Sequence, residues 1–435
     1  MTTADWPNLE PALERLPGQG RVLVAYSAGP DSTCLLHLCL ARLGSDGFQA
    51  IHIDHQLDAS SASRAEQAGQ LANQLGIKIE LHRVKVGSRG GPEAAARRAR
   101  YQCLAGLVRP GDNLLTAHHA DDQAETVLMR LLRGAGPDGL SGIPLKRRFG
   151  DGWLVRPLLN WPAAAVRAYL ADHRLPYCLD PGNEDSAMDR NYLRQSVIPT
   201  IAERWPGWRA ATVRSARLCR IAADALNAHY LAALEQAADR DSLDLASIHI
   251  SGPGELAGLI RQWCHLQGHT APPGPRLDQF VEQVQSAPND RLPEIRWEGR
   301  RLLRWNRRLW LESDPLPSTD WRLTWEPASA LELPDGLGRL EFRGPTAGLG
   351  KLTVCAGNSG ERIRLRHGGP ARAVPELFRR AGVPPWRRPH WPRLWQDNKL
   401  LAVGERWLDA DFARLLDSMD CRLHWHGGDS AKIDP

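Results

Sequence analysis

The sequence predicts an α/β protein built on a doubly wound, mostly parallel sheet, and three observations predict it. The stretch Arg21–Leu40, RVLVAYSAGPDSTCLLHLCL, passes from an apolar run through small and hydroxyl residues into helix-spaced apolar residues. It reads as strand, tight loop and helix. Strand-like and helix-like segments then alternate past His119, the pattern of parallel strands joined by crossover helices. At 435 residues the chain is too long for one core and suits two or three domains.

Each element has its own signal. Leu23, Ala25 and Tyr26 suit a strand buried on both faces, and Leu35, Leu36, Leu38, Cys39 and Leu40 supply the inner side of the helix after it. A second strand is expected over Phe48–His55, a helix over Ser61–Leu75, a third strand over Lys78–Val86 and a helix over Gly91–Leu107. The fourth strand, Asp112–His119, runs into a helix whose apolar stripe is Ala124, Val127, Leu128 and Leu131 and whose end is Gly134. Arg133–Pro144 (RGAGPDGLSGIP) is rich in Gly and Pro and should be mobile or specially shaped. A further helix is expected near Ala163–His173. In such a sheet the ligand site lies beyond the C-terminal strand ends, where Ser27–Ser32, Asp54 and His118 all fall.

The loop Ser27-Ala28-Gly29-Pro30-Asp31-Ser32 gathers backbone N–H groups and two hydroxyls at the positive end of a helix dipole, a site suited to pyrophosphate. Asp31 repels phosphate unless a divalent cation lies between, so Mg²⁺ is implied. A Walker loop is excluded because no Lys is near, and a dinucleotide loop because only one Gly is present. The plain alternative is a strand-to-helix turn capped by Asp31 and Ser32. Asp54 suits a ribose or adenine contact, or simply caps its own loop. Arg97 and Arg100 share one helix face. They suit a departing pyrophosphate or RNA, or else form a solvated face with Glu93 paired to Arg97. Asp121 and Glu125, and Asp122 and Glu125, are spaced to point together at a cation; first-turn acids also complement a helix dipole. His118-His119 at the strand end favours function. The polar stretch 179–194 reads as a substrate lid.

Hydrophobic content of 42% and charged content of 24% suit a soluble globular chain. No apolar run approaches the roughly 18 residues of a membrane span, and the N-terminus has no leader pattern, so a cytoplasmic location is expected. The eight cysteines stand singly without zinc spacing, which implies reduced core residues and no structural metal. The net charge of +5 is modest, but cations cluster at Lys146-Arg147-Arg148, Arg296–Arg308 and Arg379–Arg388. The second cluster interleaves Arg with Trp, which suits phosphates and exposed bases or a strand pair with Arg outside and Trp inside.

The loop resembles the SGGxDS loop of the PP-loop ATP pyrophosphatases, which cleave ATP between the α and β phosphates; Ala28 replaces the first Gly. TAHHADDQAETVLMRLLRGAGPDGLSGIP, with IDHQLD (53–58), PEAAARRARY (92–101), RPLL (156–159) and DPGNEDSAMDRNYLR (180–194), narrows the likeness to the tRNA(Ile)-lysidine synthetases. The likeness is dense from Arg21 to about Pro199 and continues into Leu226–Leu311 and Gly360–Leu416. It implies an adenine nucleotide α-hydrolase-like catalytic domain at 1–215, a middle tRNA-binding domain at 216–315 and a C-terminal tRNA-binding domain at 316–435, both smaller and α/β or α+β.

The implied reaction joins L-lysine to the wobble cytidine of a CAU-anticodon isoleucine tRNA through an adenylated cytidine, using ATP and Mg²⁺. Expected catalytic groups are Asp31, Arg97, His118, Asp122 and Glu125, with Asp31 on the metal. ATP would meet Ser27, Ala28, Gly29, Pro30, Asp31, Ser32 and Asp54, and lysine would meet Asp121, Asp122 and Glu125. tRNA would meet Lys146, Arg147, Arg148, Arg190, Arg194, Arg387 and Arg388. No DNA or membrane partner is implied, and the sequence leaves room for a homodimer. The rival readings are a tRNA thiolase, which would need paired cysteines, an amide-forming PP-loop synthetase, and an inert RNA-binding module, to which only Ala28 points.

Overall fold

The computed structural model describes residues 7–56, 61–86, 92–178, 188–239, 241–288, 291–358 and 360–426. Leu57 and Asp58 of IDHQLD, Gly91 at the expected helix start, and 179–187 of the expected lid lie outside the described residues. Contacts divide the chain into two units, Met1–Asn227 and Ala228–Pro435.

The first unit carries a six-stranded sheet in the order β3-β2-β1-β4-β6-β5. Its strands are β1 (Val22–Ala25), β2 (Gln49–Asp54), β3 (Ile79–Arg83), β4 (Asn113–Leu115), β5 (Lys146–Phe149) and β6 (Gly152–Val155). All neighbours are parallel except the edge hairpin β5–β6. The mostly parallel sheet is as expected from the sequence, with strands shorter than the apolar runs. The hairpin was not anticipated; it turns at Gly150 in the left-handed region, φ 53°.

Crossover helices cover both faces: α1 (Pro30–Leu43), α2 (Ser61–Gln74), α3 (Pro92–Leu107), α4 (Ala120–Leu132) and α5 (Ala163–Asp172). Strand residues alternate between two cores. Val24, Ala50, Leu115 and Val155 pack with Leu35, Leu36 and Val166 of α1 and α5. Leu23, Ile51, Leu114 and Leu154 pack with Leu104 of α3. The Gly-rich loop is shaped from within. Gln123 of α4 donates to the Ile143 carbonyl at 3.1 Å and accepts from its N–H, and Arg130 donates to the Gly139 and Gly142 carbonyls.

The second unit contains two cores. One joins an antiparallel sheet, β7 (Ser242–Asp244), β8 (Glu294–Trp297), β9 (Arg300–Trp305) and β10 (Arg308–Ser313), to helices Pro253–Leu266 and Gly274–Ser286 through Trp263, Phe280 and Leu302. The Arg/Trp segment is therefore a strand ribbon. Trp297 is buried, while Arg301 pairs with Glu294 at 2.7 Å and Arg308 with Asp239 at 3.4 Å. The other core gathers Trp325, Val354, Phe378 and Trp391 beneath a five-stranded antiparallel sheet that includes Leu352–Cys355, Arg393–Gln396 and Lys399–Val403.

One buried carboxylate fixes how β1 enters the sheet. Asp112 accepts from the N–H groups of Arg21 and Arg109 at 2.9 and 3.0 Å and from the Arg21 guanidinium at 2.6 Å. Burial pushes its pKa up, but these donors more than offset that and hold it below the ordinary value. Its stabilisation is therefore present above the unfolded value of about 3.9 and is lost as pH falls through the lower folded value. Asp112→Ala, which leaves these donors without an acceptor, should destabilise the fold by about 3 kcal/mol near neutrality. Urea melts from pH 7 to 3 should show wild type converging on the variant at the acid end.

Candidate active site

After β1, the Tyr26 N–H still pairs with the Ile51 carbonyl at 2.8 Å, and the chain then turns. Ala28 sits in the left-handed region at φ 62° with its methyl buried. The loop therefore requires the conformation that Gly adopts without strain, and Ala holds it at a cost of about 1–2 kcal/mol, partly offset by burial of the methyl. Its carbonyl is fixed by the Cys178 N–H at 2.8 Å. Gly29, extended at φ −72° and ψ 167°, precedes Pro30 with no side-chain cap on the helix. The first N–H groups of α1 are thus left for an outside acceptor. Ser27 and Ser32 hydroxyls stand 3.0 Å apart, and Ser32 Oγ donates to the Gly29 carbonyl at 3.0 Å. These bonds set the loop's shape. The Asp31 side chain remains 40% exposed.

The two histidines at the end of β4 diverge, as successive strand residues must. His119 faces Asp31, with Nε2 3.6 Å from Oδ2. It also caps α4: its N–H donates to Asp122 Oδ2 at 3.0 Å, and Asp122 N–H donates to its Nδ1 at 3.4 Å. With Nδ1 accepting, the ring proton lies on Nε2, toward Asp31. Burial pushes this imidazole down, but Asp31, Asp122 and Asp121 outweigh it and hold the pKa above the ordinary value. His118 goes to the α3 side, where its Nδ1 meets Thr116 Oγ1 at 3.0 Å. Burial and then Arg156, Arg97, Arg190 and Arg100 push it down to about 3, so it is neutral at physiological pH.

The acids of α4 do converge on cations, and those cations belong to the chain itself. Glu125, with its side chain 2% exposed, meets Arg190 Nε at 2.8 Å and Arg194 Nε at 2.7 Å. Asp122 meets Arg190 Nη2 at 2.8 Å. Asp121 meets Arg209 Nε at 2.6 Å and accepts from the Ala163 N–H at 2.8 Å. Arg190 and Arg194, expected from sequence at the tRNA, thus lie on the carboxylates. Arg209 was missed, since nothing in its local sequence marks it. Asp54 is buried and accepts from the Gln56 N–H at 3.0 Å and from the Ser61 hydroxyl, the loop-capping arrangement.

Comparison with known proteins places the chain in a family. A PP-loop domain model matches residues 6–201, a TilS substrate binding domain model residues 243–310, and a TilS substrate C-terminal domain model residues 352–425. A tRNA(Ile)-lysidine synthase from Xanthomonas campestris is 36% identical over 93% of this chain and 94% of its own length. Those from Methylococcus capsulatus and Serratia proteamaculans are 35% and 32% identical, over 92% and 94% of this chain and 95% and 97% of their own. The chain belongs to the tRNA(Ile)-lysidine synthase family.

In this synthase-family chain the outlying basic segments differ in what they offer. Lys146, Arg147 and Arg148 are exposed on the edge strand β5, with Arg148 stacked 4.1 Å over Trp153. Arg387 is turned inward: its side chain is 11% exposed, it meets Glu312 at 2.6 Å and lies 4.8 Å over the Trp310 ring. Arg388 donates to the Val383 carbonyl at 2.9 Å. All eight cysteines are free thiols, and burial raises Cys34 and pushes Cys39 and Cys264 up to about 12. Sulfur transfer would need a paired, reactive thiol.

The loop geometry gives a sharp test. Ala28→Gly should keep ATP cleavage, measured as pyrophosphate release in the presence of tRNA. Ala28→Val, β-branched at positive φ in a buried turn, should cost about 1–3 kcal/mol of stability and abolish release.

Proposed function

We propose that this chain attaches L-lysine to the wobble cytidine of a CAU-anticodon isoleucine tRNA. The observation that carries the reading is the joining of an uncapped helix N-terminus and Asp31, through His119, to the three carboxylates of α4. ATP phosphates lie against the N–H groups of the loop Ser27–Ser32. Asp31 is the single carboxylate suited to an ion that arrives on those phosphates and keeps most of its water, as Mg²⁺ does. No group of three or more metal-binding side chains occurs among the described residues, which fits a nucleotide-borne ion. Such an ion neutralises phosphate charge.

The cytosine O2 attacks the α-phosphorus, the α–β bridge breaks and pyrophosphate leaves. The lysine ε-amine then displaces AMP at ring carbon 2. The free amine requires loss of a proton, which costs about 4.6 kcal/mol at pH 7 from a reference pKa of ~10.4. Lysine enters as an ammonium at Asp121, Asp122 and Glu125, taking the place of one guanidinium. Asp121, Asp122 and Glu125 are the groups in this site that can take its proton, since His118 is turned to the α3 side and burial and the surrounding guanidinium groups make it a weak base. Holding both substrates in place supplies up to about 7–11 kcal/mol of the barrier.

We take the domains as 1–215, 216–315 and 316–435; the separate cores of the second unit support the latter two. Exposed Lys146, Arg147 and Arg148 are the better tRNA contacts, since Arg387 is committed to Glu312. No helix of the described residues is long and apolar enough to cross a membrane, and tRNA, ATP and lysine share the cytoplasm, where we place the enzyme.

Radiolabelled lysine, ATP and isoleucine tRNA should yield labelled tRNA and pyrophosphate in equal amounts. Asp31→Ala should remove both products while leaving the thermal midpoint within a degree or two, because its side chain is half exposed. Pyrophosphate release without lysine incorporation by wild type would refute lysidine formation. Glu125→Gln should raise the lysine requirement far more than the ATP requirement; equal effects would make the acids purely structural.

A further inference from the structure

The α3 side of the strand ends holds cations for which the reaction above supplies no counter-charge. Alternation puts His55 after β2, His118 after β4 and Arg156 after β6 on the side of the sheet that packs against α3. Arg97 and Arg100 come from α3 itself and flank Tyr101, at 5.1 and 5.7 Å from its ring. Arg156 is 4% exposed; one guanidinium nitrogen donates to the Pro144 carbonyl at 2.6 Å, but its Nε has no acceptor. His55 Nδ1 is likewise buried without a partner. Among the residues whose side chains are described, which do not include Glu93, no carboxylate pairs with Arg97, Arg100 or Arg156. The buried Arg393, by contrast, is matched by Glu361 at 2.6 Å. Burial lowers the pKa of both Arg100 and Arg156, as expected of guanidinium groups drawn from water without a counter-charge.

We propose that Arg97, Arg100 and Arg156, with His55 and His118, form a pocket for a backbone phosphate of the RNA beside the nucleotide being modified. The proposal rests on the RNA-modifying reading above. Phosphate is the chemistry that suits several guanidinium groups with free donors. The nucleotide triphosphate is the other source of it, but its loop, Asp31 and the N-terminus of α1 belong to the opposite side of the sheet, with His119.

The test uses the full chain and reads binding without lysine. Binding of a CAU anticodon stem-loop is followed by fluorescence anisotropy across a potassium chloride series, and ATP binding by equilibrium dialysis. Arg97→Gln, Arg100→Gln and Arg156→Gln should each weaken RNA binding several-fold and reduce the slope of log affinity against log salt by about 0.7–0.9, with ATP affinity unchanged. In wild type, the His118 imidazole, followed by NMR, should titrate at higher pH once the stem-loop is bound. Loss of ATP affinity with an unchanged RNA slope would overturn the assignment to RNA, and wild-type binding of both would overturn the pocket. Arg97 is exposed, so its variant decides the matter should the buried ones not fold. If wild type made no lysidine, these binding results would still stand. If it did and the variants bound RNA normally, this inference alone would fall.

Discussion

Successive side chains of a strand point to opposite faces, and the charge layout of the first unit depends on that constraint acting where the central strands stop. One residue, His119, is carried toward Asp31 and the acids of α4. Its neighbour, His118, is carried to the guanidinium groups of α3 and β6. The same sheet edge thus separates an acidic environment from a cationic one across a single peptide unit. The two imidazoles are shifted in opposite directions accordingly. A slip of one residue in the pairing of β1 with β4 would exchange these environments as well as the two cores.

Much of this was legible in the sequence because it is local. The strand–loop–helix at Arg21–Leu40 and the acids at 121, 122 and 125 declare themselves within a few residues, and the crossover pattern sets the side of the sheet on which they meet. What was illegible depends on distant segments. Arg209 reaches Asp121 from 88 residues along the chain. The guanidinium groups of Arg190 and Arg194 choose Glu125 over solvent because a nearly buried carboxylate without a counter-charge is costly. Ala28 shows the limit in another way: its identity was plain, but the sign of its φ was set by the turn.

The outer regions teach a related lesson about arginine. A run of Arg and Trp suggests nucleic acid, yet in β8–β10 Trp297 packs into the core while Trp305 and Trp310 are half-buried on the other face, and Arg296, Arg301 and Arg308 find acids. Trp305, Trp310 and Trp386 lie 6.2–6.5 Å apart, and Trp386 and Arg387 both donate to Glu312. Composition reports how many cations a segment holds; burial decides which of them remain free.

The link between Gln123 and Ile143 imitates one rung of a sheet, with a side-chain amide standing in for a backbone peptide. Gly142, at φ 67°, leaves it room, since a Cβ there would come within 2.5 Å of the Gln123 oxygen. A segment with four glycines in twelve residues would ordinarily be a preferred site for proteolytic nicking. Clipped to α4 in this way, it moves with the helix that carries the acids, and a protease would have to break that rung before the strand could enter its cleft.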